Sequence, residues 1–389
     1  MMKIGIFGGT FNPPHRGHIN SAKQTQCQLG LDKLLVIPTA MPPHKELPEH
    51  SPTPEMRLEM ARLAFEGIKN AAVSDMEIKR GGKSYTKDTL LELKALYKDA
   101  EIWLIMGEDM FLSIESWYGA EWILANTGLA VFARDVKSVP VSHSEKLKSL
   151  YGTTVELIST EPVNISSTSL RSFLKKRKGR EYLSEEVYTY IIKNRLYGAA
   201  PDFDWLREKS RRMYRQAVDR RPHLEGIEQE AVRLARRWGC NQEEARTAAI
   251  LHDITKSLDT NEQLKICEKY GTIIDVAEKR MPKLLHAISG ALVAYHEFGV
   301  SDEVYNAIRW HTTGRENMSL LEKIIYLADY IEPSREFDGL ERLRSLAYTD
   351  IDGALKLGLE MSLRDMKRRG VTAHQRTRNA LDYLVSKEG

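Results

Sequence analysis

The period of the apolar pattern changes near residue 200, and that change limits how the chain can fold. Before it, short runs rich in Ile, Val and Leu alternate with stretches of helical spacing. The runs 3–7, 34–38, 72–74, 102–106, 129–133 and 155–158 lack strict polar alternation, as strands buried on both faces do. Helical stretches such as 55–65 and 86–96 lie between them. Strands alternating with helices predict an α/β domain with a parallel sheet and right-handed crossovers. After the Gly198-Ala199-Ala200-Pro201 cluster, which reads as a linker, no strand signal persists. Ile227, Ala231, Leu234 and Trp238, spaced four, three and four apart, form one apolar helix face. The expected organisation is an α/β domain over 1–198, a linker over 199–208 and an all-α domain over 209–389.

Composition narrows the setting. The chain has 389 residues with 57 Lys plus Arg against 54 Asp plus Glu, so charge balance gives no case for nucleic acid as a partner. Cys27, Cys240 and Cys267 have no metal-knuckle or redox spacing, which suits a reducing compartment. There is no apolar signal core and no long apolar run, so the expected setting is cytoplasmic, with no membrane partner. The composition allows a homo-oligomer without specifying one.

The most informative segment is Gly8-Gly9-Thr10-Phe11-Asn12-Pro13-Pro14-His15-Arg16-Gly17-His18. It joins the first expected strand to a helix, where ligands bind in open α/β sheets. Gly8 and Gly9 let backbone approach a phosphate, and the helix N-terminus supplies N–H groups and a positive dipole. His15 and His18, three apart, can face one ligand. The glycines do not make Gly-x-Gly-x-x-Gly. Gly82-Lys83-Ser84 ends like a P-loop, but its first glycine would fall at Glu77; the segment reads instead as a hairpin or loop tip.

These residues resemble the His-x-Gly-His nucleotidyltransferases, a Rossmann-like class, and within them the nicotinate-nucleotide adenylyltransferases. Pro42-Pro43-His44-Lys45, Ser84-Tyr85-Thr86-Lys87-Asp88-Thr89-Leu90, Gly107-Glu108-Asp109, Trp117-Tyr118 and Ile165-Ser166-Ser167-Thr168-Ser169-Leu170-Arg171 follow in the family's order. Many relatives carry Asp where this chain has Asn12. The resemblance implies in-line attack by the phosphate of nicotinate mononucleotide on the α-phosphorus of ATP, with Mg²⁺ arriving on the ATP. It implies His15 and His18 as the catalytic pair. Gly8, Gly9, Thr10, Phe11, Gly17, Gly107, Asp109, Ser167, Thr168 and Arg171 would bind ATP. Lys45, Thr86, Trp117, Tyr118 and Arg134 would bind nicotinate mononucleotide. Such chemistry needs positioning and charge stabilisation rather than a protein nucleophile.

The second half carries His223, the doublet His252-Asp253, then His286, His311 and Asp329 on helical stretches. An aspartate in the apolar run around Asp329 needs a partner. The order His … His-Asp … His … His … Asp resembles a two-metal HD domain. Imidazole and carboxylate ligands suit two divalent cations such as Fe, which can share one carboxylate and activate a water. The segments Leu285–Ala291, His311-Thr312-Thr313-Gly314 and Ala328–Arg335 look closer still to the HD hydrolases that split diadenosine tetraphosphate symmetrically. That resemblance implies His223, His252, Asp253 and Asp329 on one ion. Asp253 would bridge to a second ion on His286 and His311, as a catalytic residue together with Lys256. Lys256, Thr313 and Arg335 would meet the polyphosphate. Two alternatives stay open: an HD enzyme acting on a nucleoside triphosphate or alarmone, and a nucleotide-sensing module without turnover.

Overall fold

The computed structural model describes the chain except for residues 44–45, 134–140, 162, 215–220, 276–277, 279–280 and 388–389. It divides into two compact units, Met1–Ala200 and Pro201–Gly389.

In the first unit the apolar runs form β1 (Lys3–Gly9), β2 (Lys33–Pro38), β3 (Ala71–Val73), β4 (Glu101–Gly107), β5 (Gly128–Ala133) and β6 (Val155–Ser159). Each lies within two residues of its expected position. They make one sheet in the order β3-β2-β1-β4-β5-β6, every neighbouring pair parallel. The unbroken apolar runs of β1, β2, β4 and β5 follow from this arrangement, because helices cover both faces of the central strands, whereas the edge strands β3 and β6 are only partly buried. On one face Ile4, Ile6, Leu35, Ile37, Leu104 and Val131 pack with Leu90, Phe111 and Ile123. On the other, β1 passes so close to its neighbours that a Cβ on Gly5 would sit 2.4 Å from Leu31 Cδ1.

The chain builds outward from β1 to β3, then returns to build β4 to β6 on the other side. β1 and β4 therefore flank the switch point, and the crevice beyond their carboxyl ends is where such a sheet takes its ligand. Both strands end in glycine there, Gly9 and Gly107.

Of the two readings of residues 82–84, hairpin or loop tip, the parallel pairing excludes the hairpin. Lys83 bridges Met41 in the parallel sense, and Ser84 is buried with its Oγ accepting from the Ala40 N–H at 3.0 Å. The segment docks beside the chain leaving β2 and then starts the helix Thr86–Leu96.

Among its described residues the second unit is helical throughout. Ile227, Ala231 and Leu234 are fully buried on the helix Arg221–Trp238. At about 1.5–3 kcal/mol for a buried Leu or Ile side chain, this face anchors the helix. Trp238 completes it, donating Nε1–H to the Ala347 carbonyl at 2.8 Å. The stretch read as linker is shorter than expected: a helix begins at Phe203 and buries Trp205 and Leu206 completely. Its apolar spacing spans too few turns to stand out beside the Gly/Pro cluster. No helix is long and apolar enough to cross a membrane among the described residues.

Candidate active sites

In the first unit β1 delivers Gly8 and Gly9 to the crevice, and the helix Arg16–Leu29 starts directly after His15. The His15 and His18 rings face each other with centroids 3.8 Å apart. The His15 backbone N–H donates to His18 Nδ1 at 3.1 Å, which leaves the proton of a neutral His18 on Nε2, as a donor. Burial lowers the His15 pKa to about 4. Burial, followed by the neighbouring His15, takes His18 well below its ordinary value. Both are neutral near pH 7, so they would meet phosphoryl oxygens as N–H donors rather than as cations. Nδ1 of His15 is buried and has no hydrogen-bond partner among the described residues.

The loop between them and β1 is held from several sides. The fully buried Arg57 donates from Nη1 to the carbonyls of Thr10 (2.9 Å) and Thr39 (2.7 Å), and from Nη2 to that of Ala40 (2.8 Å). Arg171 Nη1 donates to the Asn12 carbonyl at 2.8 Å, and Ser167 Oγ to the Pro13 carbonyl at 3.0 Å. Tyr197 Oη donates to Asn12 Oδ1 at 2.8 Å. Arg171 Nη2 also reaches Thr168 Oγ1 at 3.2 Å, so Ser167, Thr168 and Arg171 form one group at the start of the helix Ser167–Leu174.

Two cavities open here. One, of about 500 Å³, is lined by His15, Gly17, His18, Gly107 and Asp109, with Val163 and Ile165 opposite. The other, of about 210 Å³, is lined by Gly8, Gly9, Thr10, Thr86, Trp117 and Tyr118. The expected ATP set is thus split, with Gly8, Gly9 and Thr10 on the side of Trp117. Trp117 also packs against the sheet core, while Tyr118 is exposed and lies on Tyr85. The Phe11 side chain is 2% exposed and packs edge-on against Phe7, His18 and Phe65, so its ring supports the loop from beneath. Lys45 and Arg134 lie outside the described residues.

In the second unit six side chains converge: His223, His286 and Asp329 from helices, and His252, Asp253 and His311 from the turns that follow the helices Gln242–Leu251 and Asp302–Trp310. His223, His252 and Asp329 form one group of ligand atoms, and His252, Asp253 and His311 another, each within 4.8 Å. His286 Nε2 lies 3.2 Å from Asp253 Oδ1 and 3.2 Å from His311 Nε2. The Nδ1 atoms of His252 and His311 each lie 2.7 Å from a carbonyl of their own turn, Ala249 and Ile308. Each therefore carries its proton on Nδ1 and presents a bare Nε2 inward. His252 Nε2 is buried 3.5 Å from Asp253 Oδ2.

Burial opposes charge at both members of the doublet, but their mutual attraction outweighs it. The His252 pKa is raised by Asp253 and Asp329, and that of Asp253 is held well below the carboxylate range by His252, His286 and His311. A cation bound at these inward Nε2 atoms would take the place of a proton and pair with the buried carboxylate, so the donor set fits a divalent cation.

The expected polyphosphate contacts fare differently. Lys256 Nζ binds Asp253 Oδ2 at 2.6 Å and remains partly exposed. Arg335 binds Asp329 Oδ1 at 2.7 Å from its Nη2. Thr313 is buried, and its hydroxyl donates to the Gly314 carbonyl at 2.9 Å. The turn after the helix Asp302–Trp310 takes it inward.

Residues 6–173 match the cytidylyltransferase-like family, and residues 222–334 match the HD domain. A protein of Geobacter sulfurreducens named "Probable nicotinate-nucleotide adenylyltransferase" is 38% identical over 213 residues, covering 50% of this chain and 98% of that one. The chain belongs to the nicotinate-nucleotide adenylyltransferase family. That membership accounts for about half its length; the HD domain follows it. A protein of Halalkalibacterium halodurans named "Bis(5'-nucleosyl)-tetraphosphatase, symmetrical" is 47% identical over 134 residues, covering 34% of this chain and 71% of that one. A solved structure described as a "predicted HD superfamily hydrolase involved in NAD metabolism", from Clostridium acetobutylicum, is 36% identical with a TM-score of 0.47, covering 49% of this chain and 100% of that one.

Sequence reasoning passed over Arg57, Tyr197 and Glu332 in these two sites. Arg57 did carry a signal. It shares a helix face with the buried Ala61 and Ala64, and a charge on an apolar face asks for partners. Tyr197, 185 positions from Asn12, had no local signal.

Proposed function

We propose that the first unit transfers AMP from ATP to nicotinate mononucleotide, forming deamido-NAD and pyrophosphate. The observation that supports this most is the pair of cavities on either side of the β1 and β4 carboxyl ends, one containing His15 and His18 and the other Trp117 and Thr86. A phosphate oxygen of the mononucleotide attacks the α-phosphorus, and the bond to the bridging oxygen of the leaving pyrophosphate breaks. His18 Nε2–H stabilises the charge on the α-phosphoryl oxygens, and His15 assists from the other side. Gly107 and Asp109 line the adenosine side. Trp117 offers a stacking face for the pyridine ring. Ser167, Thr168 and Arg171 meet the leaving phosphates, with Mg²⁺ carried on the ATP.

For the HD unit we propose symmetrical hydrolysis of diadenosine tetraphosphate: one water is consumed, the central P–O–P bridge breaks, and two ADP leave. His223, His252, Asp253 and Asp329 would hold one divalent cation, and Asp253, His286 and His311 a second, iron being the first candidate. Such cations supply Lewis acidity and lower the pKa of a water. The chain's own contribution is orientation. Carbonyl-bonded imidazoles aim their Nε2 atoms inward, and Lys256 sets a positive charge at the rim beside Asp253.

The test is product identification with the full chain. With ATP, nicotinate mononucleotide should outcompete its amide; preference for the amide or for CTP overturns the first assignment. Among dinucleoside polyphosphates, diadenosine tetraphosphate should yield ADP alone. AMP plus ATP would rule out symmetrical cleavage. Turnover only of a nucleoside triphosphate or alarmone would move the unit to another HD substrate. Metal binding without turnover would make it a sensor.

A further inference from the structure

One buried carboxylate beside the HD site has no part in the ligand set. Glu332 follows the helix Leu320–Ile331, one turn after Asp329, and is 0% exposed. Its Oε1 lies 2.9 Å from Nδ1 of His223, on the helix Arg221–Trp238. It also accepts from Ser334, at Oε2 from the backbone N–H (2.7 Å) and at Oε1 from the hydroxyl. A carboxylate removed from water is costly unless such donors surround it. Gly226 makes the space: a Cβ there would come within 2.7 Å of Glu332 Oε2 and 3.1 Å of Pro333 Cδ. Arg344 Nη2 fixes the backbone by donating to the Glu332 carbonyl at 3.0 Å.

His252 and His311 have their Nδ1 protons fixed by carbonyls of their own turns. At His223, the third residue of its helix, the fixing group comes from the turn that ends another helix, Leu320–Ile331. With Nδ1–H given to Glu332, the bare Nε2 faces Asp329 Oδ1 at 3.6 Å.

We propose that Glu332 is a positioning residue of the metal site. It sets the tautomer and ring orientation of His223, and thereby ties the helix carrying His223 to the turn after Asp329. The inference rests on the metal-binding reading of the HD unit. A carboxylate behind a ligand imidazole makes the nitrogen on the metal side more basic, and loss of such a partner weakens metal binding by about 10–100-fold.

The experiment uses the full chain, stripped with chelator and titrated with Mn²⁺, with helical circular dichroism and the cooperative melting of the second unit as the check on folding. Glu332→Gln keeps the shape but removes the charge, and should weaken Mn²⁺ binding by about 10–100-fold, while hydrolysis at saturating Mn²⁺ recovers most of its rate. In a His223→Ala background the same substitution should change Mn²⁺ affinity little, because Glu332 acts through His223. Gly226→Ala, which crowds the carboxylate from the other side, should weaken binding in the same direction and decides the matter if Glu332→Gln does not fold. Wild-type affinity in a folded Glu332→Gln or Gly226→Ala protein overturns the proposal, as does an undiminished effect in the His223→Ala background. If the wild-type chain itself binds no Mn²⁺, the metal-site reading fails and takes this inference with it.

Discussion

The Nε2 atoms of His286 and His311 stand 3.2 Å apart, although Nδ1 of His311 is already committed to the Ile308 carbonyl. A neutral His286 can therefore donate from Nε2 to His311 Nε2 or to Asp253 Oδ1, also 3.2 Å away, and a bound cation would take the place of that proton. Chelator-treated protein should therefore gain thermal stability on adding Mn²⁺, by about 2.7 kcal/mol at a hundred times Kd. Asp253→Ala should abolish that gain together with bound metal and phosphohydrolysis, and leave adenylyl transfer intact. Metal analysis and melting curves check this; full hydrolysis by metal-free Asp253→Ala protein would contradict it.

His18→Ala removes the Nε2–H donor from the larger cavity of the first unit. Adenylyl transfer should fall by about 10²–10³ in kcat, the usual effect of deleting one donor to a developing oxyanion, while diadenosine tetraphosphate hydrolysis is unchanged. Steady-state rates of both reactions on one preparation decide it.

Arg57 serves stability more than chemistry. Arg57→Met would leave the carbonyls of Thr10, Thr39 and Ala40 without their buried donor, at a cost of roughly 1–3 kcal/mol for each group left unpaired. Denaturant unfolding followed through the first unit should show a large loss. Arg57→Lys should fall between, since one ammonium cannot reproduce the guanidinium fork. A Met variant as stable as wild type would show that water satisfies those carbonyls.

His15 gives the first unit an acid-sensitive stability. The unfolded chain takes up this proton near 6.5, whereas burial holds the folded residue to about 4. Across that window the unfolded state binds more protons, so stability is full above 6.5 and falls as pH drops toward 4. His15→Asn should flatten that slope, read as melting temperature against pH for the two proteins. Parallel curves would remove His15 as the cause.

The centre of the sheet was legible from sequence because burial on both faces of β1, β2, β4 and β5 favours unbroken apolar runs, and their alternation with helical stretches placed the shorter edge strands between them. The helical character of the second half followed equally from the spacing of Ile227, Ala231 and Leu234. The histidines could be singled out by their order around the His252-Asp253 doublet, and Asp329 because a carboxylate interrupts an apolar helical stretch. Tertiary structure alone decided which nitrogen each of them presents: the tautomer of His252 depends on the Ala249 carbonyl of its own turn, but that of His223 depends on Glu332, 109 positions away. It also decided that Phe11 supports the loop from below and that Thr313 turns inward, since side-chain direction at a turn is set by what packs against it. Local periodicity records which face of an element is buried. It carries no record of which distant residue completes a hydrogen bond, so Arg57, Tyr197 and Glu332 emerge only once the chain is folded.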